Sequence, residues 1–258
     1  MGTSNSNTEN AIEITDLKKT FDGKDFVING MNLNIPKGSL TVIIGFSGTG
    51  KSVLVKHMLG LHKPTSGNLK ILGQEISNMS MDEIVRLRCR FGVLFQGAAL
   101  FDDMTVIENV SFPLIEHRRD LGENKIIELA QQKLHLVGLD PKHYSKMPNQ
   151  ISGGMQKRTG LARALALDPE IIFYDEPTTG LDPILTEMVD NLIVNTHKSR
   201  KGMTSVVVSH DLSAAFRIGD YIAMLDSGQC ILFGTPDVFF KTDIELVKRF
   251  VNKGMKHA

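Results

Sequence analysis

The first pattern along the chain is an alternation. From Ala11 to Pro36 apolar and polar residues take turns ("IEITDLKKTF", "FVINGMNLNI"), which predicts half-buried antiparallel strands. Then the pattern changes. "SLTVIIGF" is a continuous apolar run ending in glycine, as expected of a central strand covered on both faces. "KSVLVKHMLGL" places Val53, Leu54, His57, Met58 and Leu61 at helical spacing. "PTSGNLKILGQEI" reads as turn, strand, turn, strand, and "RFGVLFQ" as a strand ending at a polar residue. Ser80 with Glu83, and Thr105 with Glu108, have the spacing of capping boxes that start two further helices.

From Gly97 to about Leu165 the strand signal is absent. "NKIIELAQQKLHLVGL" and "MQKRTGLARALAL" are amphipathic helices, which predicts a helical insertion. Strands resume with "EIIFYDEP" and "MTSVVVSHD", separated by a helix beginning near Pro183. "YIAMLDSGQCILFG" predicts a hairpin turning at Asp226-Ser227-Gly228, and "TDIELVKRFVNKG" a last amphipathic helix. There is no internal repeat, low-complexity tract or long linker. The simplest account is a single α/β domain over residues 11–250. It comprises a core, an antiparallel β subdomain and an inserted α-helical lobe at about 97–165. A disordered tail over 1–10 and a short C-terminal tail over 251–258 would flank it.

Composition narrows the class. Of 258 residues, 41% are hydrophobic and 22% charged, as in a globular chain. Lys plus Arg (29) equals Asp plus Glu (29), so no broad positive field points to nucleic acid, and no nucleic-acid partner is expected. Cys89 and Cys230 lack metal spacing and read as reduced core thiols. No apolar run approaches the ~20 residues of a spanning helix. "MGTSNSNTEN" does not have the plan of a signal peptide. Gly2 with Ser6 meets the loose myristoylation pattern, although a frayed polar tail is the simpler reading. The expectation is a soluble chain whose membrane role, if any, comes through a partner.

Two segments look built for phosphate. Gly45-Phe46-Ser47-Gly48-Thr49-Gly50-Lys51-Ser52 follows a predicted strand and opens a predicted helix. Its backbone N–H groups can wrap a β-phosphate, Lys51 can reach β and γ oxygens, and the Ser52 hydroxyl suits a Mg²⁺ position. The plainer alternative is a glycine-rich turn. The second segment, "ISGGMQKRTGLARAL", opens a basic helix with Ser152 as N-cap and Gly153-Gly154 behind it, another anion-binding helix start.

Other residues suggest chemistry. In "IIFYDE" Asp175 can face a metal while Glu176, pointing oppositely on the strand, aims at an attacking water. Alone the pair reads equally as acidic residues at a sheet edge. Gln96, where a strand meets the helical insertion, can ligate Mg²⁺ and touch that water. His210 follows a buried strand and could bond a γ-phosphate, although lone histidines are more often structural. Phe21 could stack on adenine; taken alone it reads as a core phenylalanine.

Phosphate loop, "LFQ", "SGG", "FYDEP", "GLD" and "VVVSHD", in this order from about Ala11 to Gly234, resemble the ATPase subunit of ATP-binding-cassette (ABC) transporters. The resemblance implies a P-loop NTPase (RecA-like) core, ATP hydrolysis, and ATP and Mg²⁺ as cofactors. It implies that Phe21 stacks on adenine and that Gly45 to Ser52, with Val53 behind, is the Walker A loop. Gln96 becomes the Q-loop residue, Asp175 and Glu176 Walker B, Asp182 the D-loop residue and His210 the switch histidine. Catalytic roles thereby fall to Glu176, His210 and Gln96, and metal roles to Ser52, Gln96 and Asp175. Ser152, Gly153 and Gly154 belong to the signature, which in this family caps the γ-phosphate held by a second, head-to-tail copy. Two grips in one chain would thus serve two nucleotides.

Three positions depart from the family pattern: Phe46 for a frequent proline, Val53 for a threonine, and Met155 for a glutamine. "VLFQGAALFDDMTVIENVSFPLIEH" with "ISGGM" is similar to the Mla/Mkl (MlaF-like) branch. That similarity implies phospholipid transport between membranes of a bacterial envelope. The implied partners are an integral permease (MlaE-like), an MCE-domain protein (MlaD-like) and, in some members, a STAS-domain protein (MlaB-like). The chain would sit on the cytoplasmic face of the inner membrane, peripheral through the permease. An ABC importer ATPase for amino acids or another small solute is the alternative. A groove around Gln96 to Val110, with Ala98, Leu100 and Phe101, is expected to receive a permease helix.

Overall fold

The computed structural model describes residues 9–254, so the myristoylation pattern at Gly2 and most of the expected N-terminal tail lie outside the described residues. The alternating N-terminal pattern becomes β1 (Asn10–Thr20) and β2 (Phe26–Pro36), paired antiparallel. With β4 (Ser66–Ile71) and β5 (Gln74–Glu75) they form a sheet in the order β2-β1-β4-β5. The apolar runs become a second sheet: β3 (Leu40–Gly45), β6 (Phe91–Leu94), β7 (Ile171–Asp175), β8 (Thr204–Val208), β9 (Tyr221–Asp226) and β10 (Gln229–Gly234). Its order is β10-β9-β3-β8-β7-β6, parallel from β9 to β6 with β10 as an antiparallel edge. Every residue of β3 and β8 is buried, which is why these strands read as unbroken apolar runs.

Helix α1 (Lys51–Met58) leaves the end of β3, and α2 (Met81–Arg88) precedes β6. The insertion carries α3 (Val106–His117), α4 (Glu123–Leu136) and α5 (Gly153–Ala164). Both expected capping boxes form, on α2 and on α3. After β7 come α6 (Pro183–Ser199), α7 (Leu212–Ile218), α8 (Pro236–Lys241) and α9 (Glu245–Gly254). The last helix runs past residue 250, and Val251 is buried, so the stretch expected as a tail begins as packed helix.

One core cluster lies between the parallel sheet and the helices, and includes Val42, Leu134, Leu161 and Phe250. Another fills the space between the two sheets around α1, with Ile14, Leu54 and Phe173. The sheets are also stitched directly. The Asn29 N–H donates to Gly228 O at 3.0 Å, and Gln229 Nε2 to Asn29 O at 2.9 Å. Gly228 has φ 76, and a Cβ there would stand 2.7 Å from Val27 O, so glycine alone fits. Cys89 and Cys230 are half-buried rather than core residues, and burial raises both thiol pKa values, that of Cys230 to about 11.

Candidate active site

The phosphate loop hangs between the buried end of β3 and the first turn of α1. Gly50 caps that helix in the left-handed region (φ 97), and a Cβ there would meet Val27 O at 2.9 Å. No acidic residue occupies the first turn of α1, leaving its N–H groups to favour an anion. Lys51 is buried, and its Nζ donates to Gly45 O and Phe46 O, both at 2.8 Å. Burial lowers its pKa and Glu176 opposes that shift. The lysine is therefore a cation held inside its own loop by two carbonyls, and phosphate oxygens are the better acceptors.

The two carboxylates part company through the backbone. Strand β7 ends at Asp175, and Glu176 takes φ 47 while its N–H donates to Val208 O at 3.0 Å. The expected strand alternation is thus replaced by a left-handed turn at Glu176, a strained conformation for a non-glycine residue. Burial, and then the neighbouring Glu176, push the Asp175 carboxyl above its usual range, while Lys56 opposes them. A divalent cation at Asp175 would relieve both causes. Among the described residues no three His, Cys, Asp or Glu side chains gather as a cation cage.

His210 stands just past β8, its Nδ1 3.9 Å from Glu176 Oε2. Thr179 bridges the two: its hydroxyl donates to Glu176 Oε2 at 3.1 Å and lies 3.5 Å from His210 Nδ1. Sequence reasoning passed over Thr179, and only its nearness to Glu176 in the chain could have flagged it. One cavity of about 380 Å³ gathers Ser47, Lys51, Ser52, Val53, Glu176 and His210 on its walls.

Other expected site residues lie apart from that cavity. Gln96 is exposed at the end of β6. Phe21 is 60% exposed, with Lys19 Nζ 5.1 Å from its ring centroid and His62 edge-on at 5.5 Å. It is therefore available as a platform and is not a core residue. Ser152 caps α5 by accepting from Met155 N–H at 3.4 Å. Added Cβ atoms at Gly153 or Gly154 would meet nothing within 4 Å, so these backbones face open space. The first turn of α5 also lacks acidic residues. Met155 packs its side chain against the core. Asp182 caps α6, accepting from Leu185 N–H at 3.0 Å. Lys157 ties the segments together: its buried Nζ donates to Gln96 O, and to Pro177 O at 2.8 Å.

Past the end of β6 lies a second concavity, of about 340 Å³, lined largely by Phe91, Phe95, Phe101, Phe112, Pro113 and Leu167. Phe95 and Phe101 are partly exposed, and Arg163 covers one side of the Phe101 ring at 5.4 Å. Of the stretch from Gln96 to Val110, where an apolar groove is expected, Ala99 and Phe101 line this concavity, and Ala98 and Leu100 do not. Ala98 is buried, with φ 61, and its carbonyl accepts from Arg163 Nη2 at 2.8 Å.

A family model described as "ABC transporter" matches residues 28–179. The "Probable ribonucleotide transport ATP-binding protein mkl" of Mycobacterium leprae is 41% identical over 242 residues, 94% of this chain and 69% of that protein. The "Intermembrane phospholipid transport system ATP-binding protein MlaF" of Haemophilus influenzae is 40% identical, over 93% of this chain and 90% of that protein. The chain spans about two thirds of the length of the mycobacterial relatives it matches. A solved dimeric ATP-binding cassette in a post-hydrolysis state, bound to ADP and Pi, superposes with TM-score 0.78 at 33% identity. It covers 87% of this chain and 98% of that one.

Proposed function

The chain belongs to the ABC transporter family and is an ATPase of it; on that premise we propose that it powers a phospholipid transporter as a head-to-tail dimer. The observation that carries the catalytic part is the shared cavity, where the phosphate loop, Glu176 and His210 face one volume. ATP phosphates replace the carbonyls of Gly45 and Phe46 as acceptors for Lys51, and the N–H groups opening α1 hold their charge. Phe21 receives the adenine ring.

Ser52, Asp175 and Gln96 would hold Mg²⁺, which when bound neutralises charge on the β and γ phosphates. Glu176 orients and deprotonates the attacking water, with Thr179 fixing one of its oxygens. His210 hydrogen-bonds the γ-phosphate. The donors lacking on that phosphate's far side come from Ser152, Gly153 and Gly154 of a second copy. Their open surroundings support an incoming ligand rather than an internal packing role.

The apolar groove by Phe95 and Phe101 supports a seat for a cytoplasmic helix of an integral permease (MlaE-like). Among the described residues no helix is long and apolar enough to cross a membrane, so such a partner would tether the chain at the cytoplasmic face. Similarity to MlaF supports phospholipid as cargo, while MCE-domain and STAS-domain proteins as further partners rest on the sequence resemblance alone.

The test of the catalytic reading is Glu176→Gln. It should bind ATP and lose turnover by roughly 10²-fold or more, while Lys51→Ala should lose ATP binding itself. Near wild-type turnover by Glu176→Gln would reject the assigned base. For the cargo, the complex should be isolated from membranes and its bound molecules identified by mass spectrometry. Recovery of small solutes without phospholipid would reject the lipid assignment.

A further inference from the structure

Lys157 is a buried lysine held by carbonyl oxygens. It lies one turn inside α5, is only 7% exposed, and has no ion pair among the described residues. An ammonium in such a place is destabilising unless its N–H groups are satisfied. Two carbonyls satisfy it, and their identity is informative. One belongs to Gln96, 61 residues earlier, at the junction of β6 and the helical lobe. The other belongs to Pro177, 20 residues later and directly after Glu176. Burial pushes its pKa down.

Apolar side chains cannot satisfy carbonyl oxygens. A buried ammonium instead fixes three segments at one atom: the helix whose start is Ser152, the loop carrying Gln96, and the turn carrying Glu176. The first is the part of this chain offered to a second copy's nucleotide. The other two address this chain's own.

We propose that Lys157 is a positioning residue that couples the two nucleotide sites of the dimer, by making Gln96 and Glu176 move with the Ser152–Gly154 helix start. The inference rests on the head-to-tail reading above. When a second copy's nucleotide seats on the start of α5, the helix shifts, and the ammonium carries the backbone at Gln96 and Pro177 with it. The side chains on either side of those carbonyls then reach their working positions together. Lys157 touches no substrate in this scheme. It acts through the residues it holds.

The test compares Lys157→Met, which keeps length and volume without the donors, with Lys157→Arg, which keeps a cation and several N–H groups. ATP titrations of the full-length chain should give an unchanged KM and a kcat lowered about tenfold or more for Lys157→Met, because displacement of positioned groups costs rate rather than ground-state binding. Lys157→Arg should recover part of that loss. Independently of turnover, hydrogen exchange should quicken about tenfold in peptides spanning residues 95–99 and 177–180, with the β3 and β8 peptides unchanged.

A kcat within twofold of wild type would overturn the proposal, as would unchanged exchange in both loops. So would a Lys157→Met defect that raises KM and lowers the melting temperature in proportion and is not recovered by Arg, since that describes a structural lysine. Failure of the unsubstituted chain to hydrolyse ATP would count against the functional reading itself, and the exchange comparison would then decide the coupling.

Discussion

The Phe46 ring, in the phosphate loop, packs edge-on against Phe250 of α9, with centroids 4.9 Å apart and planes at 76°. An aromatic at position 46, where the family often has proline, thus has a partner more than 200 residues away. Proline would stiffen the loop covalently, whereas here a contact with the last helix does so. Phe250 is 8% exposed and Phe46 48%, so the anchor is the distal residue.

Phe250→Ala should therefore lower stability by about 3–5 kcal/mol and also weaken ATP binding severalfold. Phe46→Ala should weaken ATP binding similarly with a smaller loss of stability. Chemical denaturation and nucleotide titration of both single variants and the double variant measure the coupling. Additive effects on affinity would show that the ring pair does not hold the loop.

Thr179→Val keeps the shape of the side chain and deletes the hydroxyl between Glu176 and His210. Turnover should fall about tenfold, the cost of a misaligned general base, with ATP affinity unchanged. Single-turnover kinetics beside equilibrium binding provide the measurement. Equal turnover would assign the hydroxyl to loop geometry alone.

Asp175 yields a pH prediction with a definite sign. Its folded pKa is raised, so the folded chain holds the proton more tightly than the unfolded one. Its contribution is stabilising below the ordinary carboxylate pKa and is lost as pH rises through the raised value. Without magnesium or nucleotide, Asp175→Asn should accordingly raise the melting temperature at about pH 8, on the order of 2–4 °C. The gain should shrink on acidification, as pH falls through the raised value of the Asp175 carboxyl toward the ordinary carboxylate range. A gain independent of pH would mean that burial of the charge is not what destabilises the site.

The trans arrangement can be separated from a cis one by mixing. A Lys51→Ala chain paired with a Ser152→Arg chain contains one wholly damaged site and one wholly intact site, and should retain activity that neither homodimer has, lowered where coupling through Lys157 is lost. An inactive, verified heterodimer that still occludes one ATP would show obligate two-site coupling; one that occludes none would reject the trans signature.

What was legible in the sequence was whatever lies within one turn or one strand. The capping boxes at Ser80 and Thr105 formed because their partners are three residues away. The apolar runs became buried strands because period and burial are the same fact. The site motifs were legible one by one, being contiguous. Their relations were not. Lys157 looks like any solvated helix lysine until β6 and β7 bring two carbonyls to it. The Glu176 turn is imposed by the Val208 carbonyl on the neighbouring strand, overriding the alternation that the local pattern predicts. Ala98 reads as surface beside Leu100 and Phe101, and is buried where it packs on Gly160 of α5, with its carbonyl accepting from Arg163. Short helices such as α7 and α8 carry too few residues for a period to show.

The carbonyl of Val27 lies close to two glycines, Gly50 of the phosphate loop and Gly228 of the β9–β10 turn. A hairpin tip is ordinarily where a protein tolerates change most freely, accepting tags, insertions and sequence drift. Here it is a backstop. Any side chain at residue 228 must push β2 away, and the displaced Val27 is itself a wall of the nucleotide cavity. A random-mutation library of this chain should thus show two distant glycines intolerant for one shared reason. Lineages diverging at that turn should lose nucleotide binding before they lose the fold.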